Sequence, residues 1–396
     1  MRLPLLPILV IVAINILIDW YIFNVCRRRL TGKLWSRLHL TFSVLMSLVI
    51  VVAVCLPYRS GGQDMLLADM WLIYSYATVF LPKTVFFIFD ILARLPQLFH
   101  RFRLKWLSSI GCGIAIATFV AMWWGALINR LDYQVKEVEV DVCGLPESFD
   151  GYRILHFSDF HVGTYGDDTT FVAKIVNAVN EYSVDLIAFT GDIVNREATE
   201  LIPFVATLSR MRANDGVMAI LGNHDYGDYK SWKSDADKLA DKATLVKCFD
   251  KMGWRLLLNE TETIHRGGDS IAVIGVENIG DPPFKVYGDL NKAYPNSSDS
   301  ITKILLSHTP VHWVCEIKNN PLRNIALTLS GHTHAMQFEL LGISPAALRY
   351  PTWGGLYSDD EGRRHLYVNI GLGTVGIPAR IGATPELTII TLRKAR

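Results

Sequence analysis

Cysteine is scarce in this sequence, and long runs of like charge are absent. The six cysteines show no CxxC spacing, and the three in the polar part, Cys143, Cys248 and Cys315, allow one bridge at most and so give no disulfide framework. The formal net charge is +1, and no long basic block occurs outside the loops that flank hydrophobic stretches. Because neutralising a nucleic-acid backbone needs several clustered cations, this pattern argues against a nucleic-acid partner.

Hydrophobic residues are abundant and concentrated at the N-terminal end. They make up 50% of the 396 residues, which is too high a fraction for an ordinary soluble protein. We therefore predict a transmembrane region in residues 1–130, built as a bundle of about four helices. The predicted spans lie near residues 5–25, 38–56, 70–92 and 106–127. The third span has the weakest support from the sequence, because the lysine of Pro82-Lys83 at its centre would cost about 2.5–3.5 kcal/mol in lipid.

The loops between these spans differ in basic content, which predicts the topology. Two of the loops hold Arg27, Arg28, Arg29, Lys33, Arg37, Arg94, Arg101, Arg103 and Lys105. The loop between the second and third spans has only Arg59. Since retained loops carry the Lys/Arg excess, we predict a multi-pass protein of the cytoplasmic membrane with everything after Leu127 extracytoplasmic. If the third span were not real, the same rule would place the polar part inside.

The polar part is predicted to form one layered α/β domain. Residues 131–150 are predicted to form a linker and a first strand, and residues 151–396 to form the domain itself. Five short apolar runs are typical of buried strands: Ile154–Phe157, Leu186–Phe189, Val217–Ile220, Ile304–Leu306 and Ile325–Leu327. Amphipathic helices are predicted between them, including one from about Lys233 to Met252 with Leu239 and Phe249 facing inward.

The later part of this domain is predicted to form a second packed sheet. Arg255–Leu258 and Ser270–Val276, with Gly267-Gly268 between them, indicate antiparallel pairing. Leu387–Leu392 alternates in hydrophobicity and is predicted to close the second sheet. Asp281–Ser300 is rich in turn-forming residues, which predicts a surface loop beside the site and a candidate lid.

Polar side chains follow each of the five apolar runs directly. They are Asp159, His161, Asp192, Asn223, His308, His332 and His334. Because the carboxyl ends of strands meet at one edge of a layered α/β structure, we expect these side chains to converge on one crevice. Carboxylates, imidazoles and an amide oxygen are all metal ligands, so the sequence predicts a metal site there.

This set of ligands is large enough for two divalent cations. Asp192, in the middle of the set, is predicted to bridge two cations about 3.5–4 Å apart, the separation that suits in-line phosphoryl displacement by a hydroxide held between them. Without a thiolate, the set favours Mn, Fe or Zn over calcium or an iron–sulfur cluster. His224 is predicted to protonate or polarise a reacting oxygen, with Asp225 holding its imidazole in one orientation.

The order of these motifs, DxH, GD, GNHD, H and GHxH, resembles the calcineurin-like metallophosphoesterases. The resemblance covers Tyr152–Leu392, and the preceding spans are similar to the membrane-anchored subgroup, the transmembrane proteins with a metallophosphoesterase domain. It implies a four-layer α/β/β/α sandwich. Two departures from the family pattern are Ala335-Met336, where a Gly-Gly pair is frequent, and Glu277-Asn278, where an acidic pair is frequent.

The resemblance also implies roles for the site residues. One metal would be held by Asp159, His161, Asp192 and His334, and the other by Asp192, Asn223, His308 and His332. His224 would meet the phosphate of the substrate.

We therefore predict a membrane-anchored, metal-dependent phosphohydrolase that cleaves a phosphoester or pyrophosphate, with a phosphorylated small molecule or a lipid as its substrate. Related proteins cleave the pyrophosphate of UDP-2,3-diacylglucosamine in lipid A synthesis, which makes that lipid one candidate. Its nucleotide is cytosolic, whereas the predicted topology places the site outside. The alternative is a polytopic sensor or transporter whose domain binds a phosphorylated ligand without hydrolysis, but the complete ligand set favours an enzyme.

Other polar residues receive structural or open interpretations. His156 lies inside an apolar run and is predicted to be a core histidine, and His312 is predicted to have a structural role. Arg380 could contact a phosphate or form a salt bridge. Lys83 and Asp90, seven positions apart in the third span, could mark a transport path or share an interior face.

Overall fold

The computed structural model describes residues 5–29, 33–99, 102–294, 301–320 and 324–395. Within these residues the chain forms two compact units. The first comprises the residues up to Ile128 together with Gly376–Ala379, and the second runs from Asn129 to Val375 and again from Arg380.

The first unit contains four long apolar helices among its described residues. They are α1 Leu5–Arg29, α2 Lys33–Cys55, α3 Gln63–Arg94 and α4 Lys105–Leu127. All four are long enough and apolar enough to cross a membrane. The predicted bundle of about four transmembrane helices is confirmed, including its third member.

Two charged side chains in the interior of the third helix, Lys83 and Asp90, are paired. Lys83 Nζ in α3 lies 2.7 Å from Asp19 Oδ1 of α1 and 3.1 Å from Ser43 Oγ of α2. Asp90 is buried and accepts a hydrogen bond from Arg94 Nε at 3.0 Å. A charge that is paired and hydrogen-bonded costs far less in a low-dielectric medium than an isolated one, which explains why the third helix tolerates its lysine.

The second unit contains two six-stranded sheets. In chain order the strands are β1 Gln134–Val142, β2 Arg153–Phe157, β3 Leu186–Phe189, β4 Val217–Ala219, β5 Arg255–Leu256, β6 Glu260–Arg266, β7 Asp269–Gly275, β8 Thr302–Leu306, β9 Ile325–Ser330, β10 Gly355–Ser358, β11 His365–Val368 and β12 Glu386–Lys394. The first sheet has the order β1-β12-β2-β3-β4-β5, and the second β10-β11-β9-β8-β7-β6. Strands β2 to β5 are parallel, as are β7, β8, β9 and β11.

Two strands pair differently from the sequence prediction. The antiparallel hairpin around Gly267-Gly268 is present, but its first strand is β6, because Arg255–Leu256 pairs in parallel with β4 of the first sheet. The prediction that Leu387–Leu392 closes the second sheet is wrong. This segment lies in β12, inside the first sheet between β1 and β2.

Helices cover the outer faces of both sheets, which gives the predicted four layers. Helices α5 Thr170–Glu181, α6 Val205–Leu208 and α7 Asp235–Met252 pack on the first sheet. The short helix α8 Leu290–Ala293 and a π-helical turn at Trp313–Ile317 pack on the second. A separate apolar cluster fills the space between the sheets.

Helix α7 buries a different face from the predicted one. Phe249 is buried as expected, but Leu239 is 69% exposed, and the helix instead packs through Leu245, Cys248 and Met252. The helix carries many charged residues, so its apolar positions are too few to define one stripe.

The carboxyl ends of five strands position the candidate site. Strands β2, β3 and β4 of the first sheet and β8 and β9 of the second end at the motifs DxH, GD, GNHD, H and GHxH. Each motif begins where the backbone hydrogen bonds between neighbouring strands stop. The backbone of the motif is therefore free to turn and bring polar side chains together.

Candidate metal centre

Three of the candidate ligands form one group at the ends of β2 and β9. His161 Nε2 lies 3.2 Å from His334 Nε2, and the latter lies 3.1 Å from Asp159 Oδ1. All three residues are buried, and their ligand atoms lie within 4.8 Å of one another. Two imidazole nitrogens and a carboxylate oxygen facing one point are a donor set that fits a divalent cation.

A second group lies beside the first and contains Asp192, His308 and His332. His308 Nε2 is 3.2 Å from Asp192 Oδ2 and 3.3 Å from His332 Nδ1. Asn223 Oδ1 lies 3.1 Å from the same His308 nitrogen, so the amide oxygen faces this group as well. The structure thus brings together all seven ligands predicted from the sequence.

Asp192 lies between the two groups. Its Oδ2 atom is 3.2 Å from His308 Nε2 in the second group and 3.7 Å from His161 Nε2 in the first. A single carboxylate oxygen therefore faces both groups, which is the arrangement that a bridging ligand requires.

The segment Thr190–Asn195 fixes the orientation of three imidazoles. Each ring places its Nδ1 atom against a backbone carbonyl of this segment: His161 against Val194 at 3.1 Å, His224 against Asn195 at 2.7 Å, and His308 against Thr190 at 2.8 Å. A carbonyl only accepts hydrogen bonds, so Nδ1 carries the proton and Nε2 keeps its lone pair. In His161 and His308 that lone pair points at the candidate cation positions.

The sequence predicts that Asp225 holds the imidazole of His224, and the structure shows a different role for Asp225. Its carboxylate accepts four backbone N–H bonds, from Asp192 at 2.7 Å, Gly222 at 2.9 Å, Ile193 at 2.9 Å and Val194 at 3.2 Å. The two residues lie in a 3₁₀ turn, where adjacent side chains point about 120° apart, because three residues complete one turn. Asp225 is therefore a positioning residue for the segment that carries Asp192.

Two tyrosines that the sequence analysis did not identify contact candidate ligands. Tyr350 Oη lies 3.1 Å from His332 Nε2, which leaves Nδ1 of that ring to face the second group. Tyr229 Oη accepts a bond from Asn223 Nδ2 at 2.9 Å, which directs the amide oxygen inward. Neither tyrosine belongs to a ligand motif, and proximity in the fold is the only signal for them.

Arg380 contacts neither a carboxylate nor the open crevice. It is fully buried and donates to the carbonyls of Ile370, Gly373 and Ala383 at 2.9, 2.7 and 3.1 Å. Its Nη2 atom, which donates to Ile370, also lies 3.2 Å from His334 Nδ1. Burial lowers the pKa of Arg380 to about 10, so the side chain stays charged near neutral pH. The phosphate and salt-bridge interpretations are both wrong.

The backbone at the ligands adopts a conformation that few side chains accept. Positive φ angles occur at Asp159 (51°), His161 (45°), Asp192 (60°), His332 (74°) and His334 (51°), and continue through Ala335 (51°), Met336 (48°) and Gln337 (56°). Each left-handed residue with a Cβ costs about 1–2 kcal/mol. Such strain concentrates at functional sites. At Ala335-Met336 this chain places side chains where the family frequently has glycines.

The electrostatics of the centre favour the protonation states that ligands need at His161, His332 and Asp192, whereas His308 holds a proton near neutral pH. Burial, together with nearby imidazoles, lowers the pKa of His161, and it lowers that of His332 to about 3. Although burial raises it, the pKa of Asp192 falls below its ordinary value because the imidazoles of His308 and His224 are close. Burial opposes protonation of His308, but the carboxylates of Asp192 and Asp159 raise its pKa to about 9, so cation binding would displace a proton there.

Two further histidines lie outside both groups. His156 is buried in β2 with Nε2 at 2.9 Å from Thr190 Oγ1. His312 is buried between Ser307 Oγ, 2.8 Å from its Nδ1, and Glu316, 3.2 Å from its Nε2. Both positions agree with the structural roles predicted for them.

Comparisons with known proteins match both parts of the chain. A model described as "Probable Calcineurin-like phosphoesterase, transmembrane domain" matches residues 1–130, and a model described as "Calcineurin-like phosphoesterase" matches residues 152–336. The chain is 31% identical over 63% of its length to "Uncharacterized metallophosphoesterase YkuE" of Bacillus subtilis, covering 82% of that protein. It is 30% identical over 78% of its length to "Transmembrane protein with metallophosphoesterase domain" of Danio rerio, covering 70% of that protein.

These matches agree with the four apolar helices and with the two groups of candidate ligands at the strand ends. The chain therefore belongs to the calcineurin-like metallophosphoesterases, as a multi-pass membrane protein with a metal-dependent phosphoesterase domain.

Proposed function

We propose that this phosphoesterase hydrolyses a phosphate ester or pyrophosphate of a lipid-linked substrate at a two-metal centre. The observation that carries the two-metal part is the position of Asp192 Oδ2, within 3.7 Å of His161 Nε2 and 3.2 Å of His308 Nε2. Cations that share one carboxylate sit at the separation of about 3.5–4 Å that suits in-line phosphoryl displacement.

The proposed ligands divide between the two positions. The first cation takes Asp159, His161, Asp192 and His334, and the second takes Asp192, Asn223, His308 and His332. When bound, the cations would polarise phosphoryl oxygens and lower the pKa of water. The oxygen and nitrogen donors, without a thiolate, support Mn, Fe or Zn.

His224 is proposed to act on the substrate through Nε2. Its Nδ1 proton goes to the Asn195 carbonyl at 2.7 Å, and Tyr229 stacks on the ring at 4.1 Å, so the imidazole has one orientation. Burial lowers the pKa of His224, which keeps the ring neutral near pH 7. Nε2 can then accept a proton from the attacking water and later donate it to the leaving oxygen.

Membrane attachment supports the lipid part of the proposal. A substrate that resides in the same membrane meets the site at a high effective concentration without any additional contact. The basic loops on one side of the helices support an extracytoplasmic catalytic domain. This topology favours lipid phosphates exposed on that side over UDP-2,3-diacylglucosamine, whose nucleotide is cytosolic.

A substrate panel in proteoliposomes tests the activity and its class. The panel holds an aryl phosphodiester, a lipid phosphomonoester, a lipid pyrophosphate and UDP-2,3-diacylglucosamine. Asp192→Ala and His224→Ala should each lower every measurable rate, by about 10²–10⁴-fold for the histidine. His265→Ala, at an exposed position in β6, is the matched control and should change nothing. Unchanged hydrolysis in both site variants would disprove the catalytic assignment, and a preference for soluble esters would disprove the lipid assignment.

A reporter fused after Arg396 tests the orientation separately. A reporter that is active only outside the cytoplasm is expected. A signal confined to the cytosol would reverse the topology, and UDP-2,3-diacylglucosamine would then be the favoured lipid.

A further inference from the structure

A run of aliphatic side chains faces solvent just beyond the ligand-bearing turn of His332 and His334. We define the apolar loop as Phe338–Leu348. Within it, four large aliphatic side chains are strongly exposed: Leu340 by 63%, Leu341 by 93%, Ile343 by 72% and Leu348 by 93%. Clustered exposure of this kind marks an interaction surface, because isolated exposed leucines are common but groups of them are not.

The tip of the apolar loop is a tight hairpin that gives no local reason for leucine. Leu340 and Ile343 exchange both backbone hydrogen bonds, at 2.9 and 3.0 Å. The two central residues, Leu341 and Gly342, have φ angles of 53° and 78°. Asn-Gly is the preferred pair in such turns, and leucine is disfavoured at positive φ. Leu341 gains no packing in return, since its side chain is almost fully exposed.

The base of the apolar loop is fixed to the metal centre. Ser344 Oγ donates to the carbonyl of Ala335, the residue after His334, at 2.6 Å. After the loop ends, Tyr350 Oη lies 3.1 Å from His332 Nε2. The exposed leucines are thus displayed on a hairpin that is hydrogen-bonded through Ser344 to the turn after His334, and the chain that follows it contacts His332 through Tyr350.

The composition of the apolar loop indicates a lipid surface rather than a protein partner. Glu339 is its only charged residue, and its exposed large side chains other than Phe338 are aliphatic. Protein interfaces are enriched in tyrosine, tryptophan and arginine, whereas aliphatic side chains suit the boundary between lipid headgroups and acyl chains.

The chain's own connectivity brings the membrane within reach. Six residues, 128–133, separate the end of α4 at Leu127 from the start of β1 at Gln134. Fully extended, six residues span at most about 20 Å. The linker therefore limits how far the start of β1 can lie from the end of the last apolar helix.

We propose that the apolar loop docks into the lipid surface and holds the metal centre beside the headgroups. Leu341 and Leu348 are the inserting side chains. This contact depends on membrane attachment and not on which phosphate compound is hydrolysed. Docking would present a headgroup phosphate to the crevice without requiring the lipid to leave the membrane.

Depth-dependent quenching tests the docking. The full-length protein is prepared with its six cysteines replaced and one cysteine introduced at Leu341, Leu348 or the control position Leu239, which is 69% exposed on α7. Each variant receives a fluorophore and is reconstituted into vesicles that contain an acyl-chain nitroxide lipid. Quenching at Leu341 and Leu348 should be on the order of threefold stronger than at Leu239, because interfacial groups lie about 5–10 Å into the boundary. Equal quenching at the three positions would overturn the proposal.

A charge variant and a crosslinking arm complete the test. The double variant Leu341→Asp and Leu348→Asp, with a label at Phe338, should lose its quenching yet hydrolyse a soluble aryl phosphodiester within about twofold of the parent. Quenching that survives both aspartates would contradict insertion. If cysteines at Leu341 crosslink between chains without quenching, the apolar loop contacts a second copy and the lipid proposal is wrong.

Discussion

Replacing Asp225 by asparagine tests how the metal centre is held together. The Asp225 carboxylate accepts two backbone N–H bonds on each oxygen: Gly222 and Asp192 on Oδ2, Ile193 and Val194 on Oδ1. An asparagine side chain has one acceptor oxygen and one NH₂ group. Whichever way the amide turns, two backbone donors lose their acceptor and face another donor.

The expected loss of stability follows from this count. Burial and the nearby Asp192 carboxylate raise the pKa of Asp225 to about 7, so each of its hydrogen bonds contributes between the neutral and charged values, about 0.5–3 kcal/mol, and losing two costs about 1–6 kcal/mol. The free energy of unfolding of a whole domain is about 5–15 kcal/mol, so the variant should be strongly destabilised. The segment Thr190–Asn195 also orients His161, His224 and His308 through its carbonyls, so disturbing it should lower metal content as well.

Denaturant unfolding and metal analysis of the purified full-length protein measure both effects. The matched control is Asp168→Asn, an exposed residue that accepts one bond from the N–H of Thr170 at 2.9 Å. Asparagine can accept that single bond too, so the control should lose under about 0.5 kcal/mol.

A different pattern of results would refute this reasoning. If Asp225→Asn kept normal stability and metal content but lowered the hydrolysis rate, its role would lie on the imidazole. A double variant with His224→Ala no slower than His224→Ala alone would then confirm that Asp225 acts through His224.

Three further predictions follow from individual contacts. Ala335→Gly should leave the free energy of unfolding within about 1 kcal/mol of the parent. Relieving the positive φ gains about 1–2 kcal/mol, and this gain is offset by glycine's extra freedom in the unfolded chain and by the loss of a buried methyl group worth about 0.8 kcal/mol. Tyr350→Phe removes the hydroxyl group 3.1 Å from His332 Nε2 and should weaken affinity for the second cation by about 10–100-fold, measured by titration of metal-stripped protein. Burial lowers the pKa of His156 to about 3, so between pH 6.5 and 3 the unfolded chain binds a proton that the folded chain does not. The free energy of unfolding therefore falls as the pH falls through this range. His156→Leu should flatten this pH dependence in unfolding measurements.

Matched variants separate these effects from general damage. Ala347→Gly, at a residue with negative φ, should destabilise the protein. Tyr357→Phe, in β10, removes a hydroxyl group that accepts a hydrogen bond from the Gly354 N–H at 3.4 Å, and it should leave metal affinity unchanged. His265→Leu, at an exposed position, should retain the full pH slope. Equal behaviour of any variant and its control would contradict the corresponding assignment.

The positions of the candidate ligands were predictable because each depends on local chemistry. Asp159, Asp192 and His308 are ligand types placed directly after short apolar strands, and strand ends of a layered fold meet at one edge. The chain supplies both pieces of information within a few positions of each residue. The membrane helices were predictable for the same reason, since length and hydropathy are local properties.

Features that depend on long-range pairing were not predictable from one sequence. Asp225 is adjacent to His224 in the chain, yet three of its four partners lie 31–33 positions away, and only the fold reveals them. Strand β12 is buried over most of its length, and alternation alone could not assign it to β1 and β2 rather than to the second sheet. The positive φ at Ala335 arises because the surrounding turn forces it, against the preference of alanine.

The number of metal ions bound per chain tests the central claim most directly. Purified full-length protein, reconstituted with manganese, iron or zinc and freed of excess metal, should retain two ions per chain. Asp192→Ala should retain fewer than one, because its carboxylate oxygen faces both groups, and His265→Ala should retain two. A single ion in the parent protein, or two ions in Asp192→Ala, would contradict a two-metal centre bridged by Asp192.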